Sequence, residues 1–255
     1  MASLHRTQSQ RAKRALERML EFQKEKAQHF LETGHDHSGA LLRRSLEVRS
    51  KLEELQHIKT SARVLEVGSG AHGLIFFFGA QHGIGVDPLA HHYVSLFPDW
   101  QRRVPTVSAY GEALPFPDTS FDVVLSDDVV DYAEDPEAIL AEIARVLAPF
   151  GMFYFTVNIC HPVWNVLSRL RPVEDFHTTH ISLGRARRFF RDLPLRIVWE
   201  SHDIAANRTA IRKRQERRFS AWVKSIFYYK ARLVIIARRE PSSRSFARSI
   251  KNITI

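Results

Sequence analysis

The chain has 255 residues, 44% of them hydrophobic, which is enough to bury a substantial core in one domain with additions. Its single cysteine, Cys160, excludes an intrachain disulfide and a Cys-based metal cage, and its longest apolar run, the eight residues Gly73 to Ala80, is far short of the roughly 18 that a membrane-spanning helix needs. The net charge of +9 is uneven: Lys and Arg exceed Asp and Glu by 4 over residues 1–60, fall short by 9 over 61–158 and exceed them by 14 over 159–255, a pattern suited to an anionic partner such as nucleic acid, a phosphorylated metabolite or lipid headgroups.

At the N-terminus the first apolar cluster, Leu16 to Phe22, is interrupted by Glu17, Arg18 and Glu21, so it lacks a signal-peptide core and a cytoplasmic location is expected. From Gln8 to Glu32 the apolar residues Leu16, Met19, Leu20, Ala27, Phe30 and Leu31 recur at helical spacing, with Gly34 as the stop. A second helical pattern carries Leu41, Leu42, Leu46, Val48, Leu52, Leu55 and Ile58. His35-Asp36-His37 between them has no third ligand nearby and reads as a solvated turn rather than a metal site.

The period changes at Arg63. Val64-Leu65-Glu66-Val67 is a short β-rich run that ends in glycines, and Gly83 to Pro88 repeats the pattern with Asp87 as its closing acid. Phe121–Ser126 and Gly151–Val157 read as further core strands. Between them Asp135 is placed as a helix N-cap and Pro136 at the first helical position, with Ile139, Leu140, Ile143, Val146 and Leu147 on one face. Strands alternating with helices predict a mostly parallel sheet covered on both faces. Leu195–Trp199 and Lys230–Ala237 predict an antiparallel pair at the sheet edge.

The segment Gly68-Ser69-Gly70-Ala71-His72-Gly73 follows a strand and precedes the apolar run Leu74 to Phe78, predicting a strand, a loop and a helix. Asp87 ends the next strand, where a carboxylate can accept hydrogen bonds from ribose hydroxyls. By itself this also describes a nicotinamide-dinucleotide site. Glu66, two residues before the first glycine, has no task in such a site, whereas a sulfonium nucleoside carrying an ammonium group can use it.

The run Glu66-Val67-Gly68-Ser69-Gly70, then Glu112-Ala113-Leu114-Pro115-Phe116-Pro117-Asp118-Thr119-Ser120-Phe121-Asp122, then Arg145-Val146-Leu147-Ala148-Pro149 resembles the class I S-adenosylmethionine-dependent methyltransferases of small-molecule type, over roughly Val64 to Val157. The resemblance implies a Rossmann-like α/β fold with a seven-stranded sheet of order 3-2-1-4-5-7-6 and an N-terminal helical lid. It implies that Glu66, Gly68, Ser69 and Gly70 wrap the methionine portion of S-adenosyl-L-methionine, that Asp87 holds the ribose, and that Pro88, Gly111 and Glu112 border the adenine. Ser126 and Asp127 would close the far wall. Two positions depart from the family: Tyr110 stands where an Asp often meets the adenine amino group, and Phe150 stands where Gly is common.

The resulting division is a helical extension or lid over 1–60, a methyltransferase domain over 61–240 and a frayed tail over 241–255. The domain comprises a cofactor half, 61–158, and an acceptor-side and basic segment, 159–240. On the acceptor side, His177 or His180 is the candidate base with Asp175 orienting it, and His161 lies nearby. Asp127, Asp128 and Asp131 suggest a magnesium-assisted site less well than a helix-start cluster of solvated carboxylates. Arg185, Arg187, Arg188 and Arg191, then Arg208, Arg212, Lys213, Arg214, Arg217 and Arg218, are candidates for phosphates or an anionic membrane face, against a solvated helix at the sheet edge. The expected acceptor is a small molecule, acidic or amphiphilic. RNA methylation and a non-catalytic binding protein of the same fold are the alternatives; Ser126-Asp127-Asp128-Val129 is not the motif used on exocyclic base amines.

Overall fold

The computed structural model describes residues 10–34, 38–163, 181–204 and 231–241. Two helices, α1 (Gln10–Thr33) and α2 (Ser38–Leu55), precede seven strands: β1 (Arg63–Val67), β2 (His82–Val86), β3 (Thr106–Val107), β4 (Phe121–Asp127), β5 (Leu147–Ile159), β6 (Leu195–His202) and β7 (Ala231–Arg239). Helices α3 (Ala90–Leu96), α4 (Pro98–Gln101), α5 (Pro136–Val146) and α6 (Leu183–Arg188) lie between strands. The strands form one sheet of order β3-β2-β1-β4-β5-β7-β6. The first five are parallel, and β7 runs antiparallel to both β5 and β6, as expected for the edge pair.

Period-two alternation sorts the central side chains onto two faces. Leu65, Val67, Val124, Phe153, Phe155 and Val157 face Ile139, Leu140 and Ile143 of α5. Val64, Val123, Leu125, Met152 and Tyr154 face the other way, onto Val48 and Leu52 of α2 and onto Leu74, Ile75 and Tyr93. Glu66 has the parity of Val64, so it points to the α2 side, under the residues that follow the glycine loop. The helix signals read in α5 hold: Asp135 Oδ1 accepts the amide of Ala138 at 3.1 Å, and Pro136 is the first helical residue. Gly34 donates to Phe30 O where α1 stops.

Four details differ from the sequence reading. No α-helix follows the glycine loop, only the 3-10 turn Leu74–Phe77. The face that a longer crossover helix would cover is taken by α2, whose Ser45 Oγ donates to Leu74 O at 2.8 Å and whose Arg49 Nη1 donates to Phe78 O at 2.8 Å and to Gly79 O at 3.0 Å. The two-residue β3 was too short to leave a periodic signal, and it pairs with β2 through Gly85↔Thr106 and Val86↔Val107. Asp127, Asp128 and Asp131 do not begin a helix: Asp127 ends β4, Asp131 is buried, and α5 starts only at Pro136. They are therefore not a solvated helix-start cluster. Finally, β5 begins at Leu147, and Phe150 within it has φ +63°, a left-handed conformation that a bulky L-residue rarely adopts. Among the described residues, no helix is long and apolar enough to cross a membrane.

Candidate functional site

In a parallel sheet the ligand crevice opens at the carboxyl ends of strands where the order reverses, which here is between β1 and β4. The loop after β1 leaves the sheet at this point. Gly68 N and Ser69 N donate to Val86 O at 2.7 and 3.0 Å, tying the loop to the end of β2.

Two acid side chains hold the rest of the loop from opposite sides. Glu66, 1% exposed, accepts the amide of Leu74 on Oε1 at 3.1 Å and that of Ile75 on Oε2 at 2.8 Å. Burial pushes its carboxyl up to about 8 against the pull of the two amides, so at neutral pH it is largely protonated. Asp87 accepts Leu89 N on Oδ1 at 2.9 Å and Gly70 N on Oδ2 at 3.0 Å, and burial pushes it up to about 6. The two acids thus share one loop, Asp87 at its start and Glu66 at its end.

Gly68 and Gly70 have different reasons to be glycine. At Gly68, φ is +71° and a Cβ would stand 2.4 Å from Val129 Cγ2, so the loop packs directly on the segment after β4. At Gly70, φ is +54° and no atom of the described residues lies within 4 Å of where a Cβ would be, so this backbone faces open space among them. Ser69 Oγ and Ser126 Oγ are buried with no hydrogen-bond partner among the described residues. Open space beside a left-handed glycine, a half-buried acid at the end of β2 and unsatisfied hydroxyls fit a polar nucleoside ligand.

Pro88 follows Asp87 and is half-buried. Gly111 is buried against Val67 and Ile139, and Glu112, raised by burial, is bonded by the amides of Glu112 and Asp135. Tyr110 is exposed. The motif spanning residues 112–122 owes its shape to Arg145, whose guanidinium donates to Leu114 O, Phe116 O, Asp118 Oδ1 and both oxygens of Glu142. Glu142 Oε2 in turn accepts Leu114 N at 2.8 Å.

The end of β4 holds a network that the sequence did not disclose. Asp127 Oδ1 accepts from Arg44 Nη2 of α2 at 2.6 Å, from Arg232 Nη2 of β7 at 2.7 Å and from Thr156 Oγ1 of β5 at 2.7 Å. Asp128, at φ +55°, donates its amide to Thr156 Oγ1 at 2.9 Å; burial and the charges of Asp127 and Asp131 push its carboxyl up to about 6. Arg44 and Arg232 left no local signal because their partner is remote in the chain, whereas Thr156 was visible as a hydroxyl inside an apolar strand. Among the described residues, no three His, Cys, Asp or Glu side chains converge as metal ligands would.

His72, a variable position of the glycine motif, is boxed by Phe97, Trp100 and Phe30 at ring distances of 4.4, 4.6 and 5.5 Å, with Lys26 Nζ 3.4 Å from its Nδ1. Helix α1 therefore also seats on the loop. His177 and His180, with Asp175, lie outside the described residues, as do residues 208–218.

Residues 65–155 match the Methyltransferase domain family. Over 123 residues, 46% of this chain and 41% of the relative, the chain is 34% identical to malonyl-(acyl-carrier protein) O-methyltransferase of Halorhodospira halophila. It spans about half the length of the curated relatives it matches. The YcgJ protein of Bacillus subtilis shares the fold with a TM-score of 0.58 at 20% identity, covering 78% of this chain and 100% of that one. Geranyl diphosphate C-methyltransferase of Streptomyces coelicolor A3(2), solved with Mg2+, geranyl diphosphate and S-adenosyl-L-homocysteine, does so with a TM-score of 0.58 at 13% identity over 77% of each chain.

Proposed function

From the match of residues 65–155 to a methyltransferase domain family and from the shared fold, we propose that the protein transfers a methyl group from S-adenosyl-L-methionine to a small-molecule acceptor, anionic or lipid-linked. One observation carries the reading: two acid side chains hold the loop that follows β1, Asp87 at Gly70 and Glu66 at Leu74 and Ile75, and Gly70 faces open space among the described residues. Asp87 keeps lone pairs for ribose hydroxyls, Gly68, Ser69 and Gly70 line the methionine portion, and Glu66 stands under it. Pro88, Gly111 and Glu112 border the adenine, and Ser126 and Asp127 form the far wall.

When bound, the cofactor supplies a sulfonium methyl that is already activated. The chain's own work is then alignment, exclusion of water and, for a protonated nucleophile, removal of a proton. His177 or His180 takes that proton in this reading, oriented by Asp175. An acceptor that reacts through an ionised carboxylate, such as the relative from Halorhodospira halophila would meet on a malonyl group, needs no base at all. The helices over 1–60 act as a lid in the same proposal. A cytoplasmic setting agrees with Cys160, a buried free thiol pushed up to about 11 by burial. Contact of the basic segment with a membrane face belongs to the proposal as well, and nucleic acid is the weaker partner.

Calorimetry with S-adenosylmethionine, S-adenosylhomocysteine and NAD tests the cofactor class. Saturable binding of the first two and none of the third is expected. A purified protein indifferent to both sulfur nucleosides at millimolar concentration refutes the proposal. An untargeted search of cell extracts for products heavier by one methyl group then identifies the acceptor.

A further inference from the structure

Arg44 and Arg232 come from the first and last parts of the described fold and meet on a single oxygen, Asp127 Oδ1, at 2.6 and 2.7 Å. Their side chains stay 33% and 30% exposed, so these guanidinium groups border open space instead of lying inside the core. Among the described residues Asp127 is the only hydrogen-bond partner of the Arg44 guanidinium, which leaves most of its N–H donors uncommitted. Asp127 ends β4 on the crevice, Val129 packs on Gly68, and Arg44 and Asp127 are close enough to Glu66 to influence its ionisation.

The pair lies at the carboxyl end of β4, next to the segment that packs on the glycine loop. Strands are spaced by about 4.8 Å, so the end of β4, where both guanidinium groups meet Asp127, stands about 10 Å across the sheet from the strand that carries Asp87.

We propose that Arg44 and Arg232 form a carboxylate-binding site for the methyl acceptor, with Asp127 as the internal carboxylate that occupies it in the absence of acceptor. The inference rests on the methyltransferase reading. Two parallel N–H groups of a guanidinium match the two oxygens of a carboxylate, and the group observed between these arginines is a carboxylate. The bound group is a spectator and not the nucleophile: methylation dissipates charge, so a double cationic clamp on the reacting oxygen would stabilise the ground state more than the transition state. The acceptor thus carries a carboxylate at some remove from its reacting atom.

Malonate serves as the probe, titrated calorimetrically into the full chain with and without saturating S-adenosylhomocysteine. Saturable malonate binding is expected in the wild type, weakened about tenfold or more in Arg44→Met and Arg232→Met and partly kept in Arg44→Lys and Arg232→Lys. S-adenosylhomocysteine and methylthioadenosine, which lacks the amino-acid end, should bind all four variants as they bind the wild type, which also certifies their folding. Lower affinity for S-adenosylhomocysteine alone would assign the arginines to the cofactor's carboxylate and overturn the proposal. Malonate binding that is absent, or indifferent to the substitutions, overturns it too. Failure of the cofactor reading looks different: the wild type ignores both nucleosides, while malonate titrated alone still reports on the arginine pair.

Discussion

Glu66→Gln separates the charge of the carboxyl group beneath the glycine loop from its shape. In the unfolded chain this group titrates near its ordinary value of 4.5, and in the folded protein near 8. Between those values the folded state holds a proton that the unfolded state has released, so stability is fully present below the unfolded pKa and is lost as pH rises through the folded one. The slope is about 1.4 kcal/mol per pH unit, or about 3 kcal/mol between about pH 5.5 and 7.5. Gln cannot ionise and lacks this slope. It also has one acceptor oxygen where two amides converge, so Leu74 N or Ile75 N loses its partner at a cost of about 1–3 kcal/mol. The variant should therefore be the less stable protein at the acid end of the window and should draw level with the wild type near its alkaline end. Urea denaturation followed by far-UV circular dichroism at constant ionic strength measures both curves. Asp87 and Asp128 are raised only to about 6 and titrate in both proteins, so they cancel in the difference. Parallel curves across the window would show that Glu66 is not a neutral acid in the folded state.

Gly70→Ala should cost only about 1 kcal/mol of stability for its φ of +54°, since no atom of the described residues opposes the new methyl group, yet it should lower affinity for S-adenosylhomocysteine by more than about tenfold. Undiminished affinity would place the nucleoside elsewhere. Phe150→Gly should raise stability by about 1 kcal/mol, because the ring is half exposed and its left-handed backbone is strained; thermal melts of the two proteins decide it. His177→Ala and His180→Ala should reduce turnover about a hundredfold or more while leaving cofactor affinity alone, and wild-type turnover in both variants removes the proposed base.

How legible the fold was depended on how local each cause was. Asp135 and Pro136 mark the start of α5 because capping needs only neighbours along the chain, and the strand order followed from a motif resemblance whose spacing Arg145 and Glu142 explain. The 3-10 turn at Leu74–Phe77 was read as a helix because an apolar run looks the same in either, and only the arrival of α2 from outside decides between them. Phe150 stood out in the sequence as a missing glycine, and the structure gives that departure its physical content, a strained φ. Of the site, the glycines and Asp87 were visible by spacing. The arginines on Asp127 were not, since each lies far along the chain from its partner.

The short 3-10 connection between β1 and β2 bears on where this domain starts. The match to the methyltransferase domain family begins at residue 65, but the turn that carries the glycine loop's far end is roofed by Ser45, Val48, Arg49 and Leu52. A polypeptide begun at residue 61 would present Leu74, Ile75 and Phe78 to water and leave three carbonyls without their donors. The minimal autonomous unit therefore reaches back at least to Ser38, and a protease that cut between α2 and β1 would be expected to loosen the glycine loop's shape along with the helix.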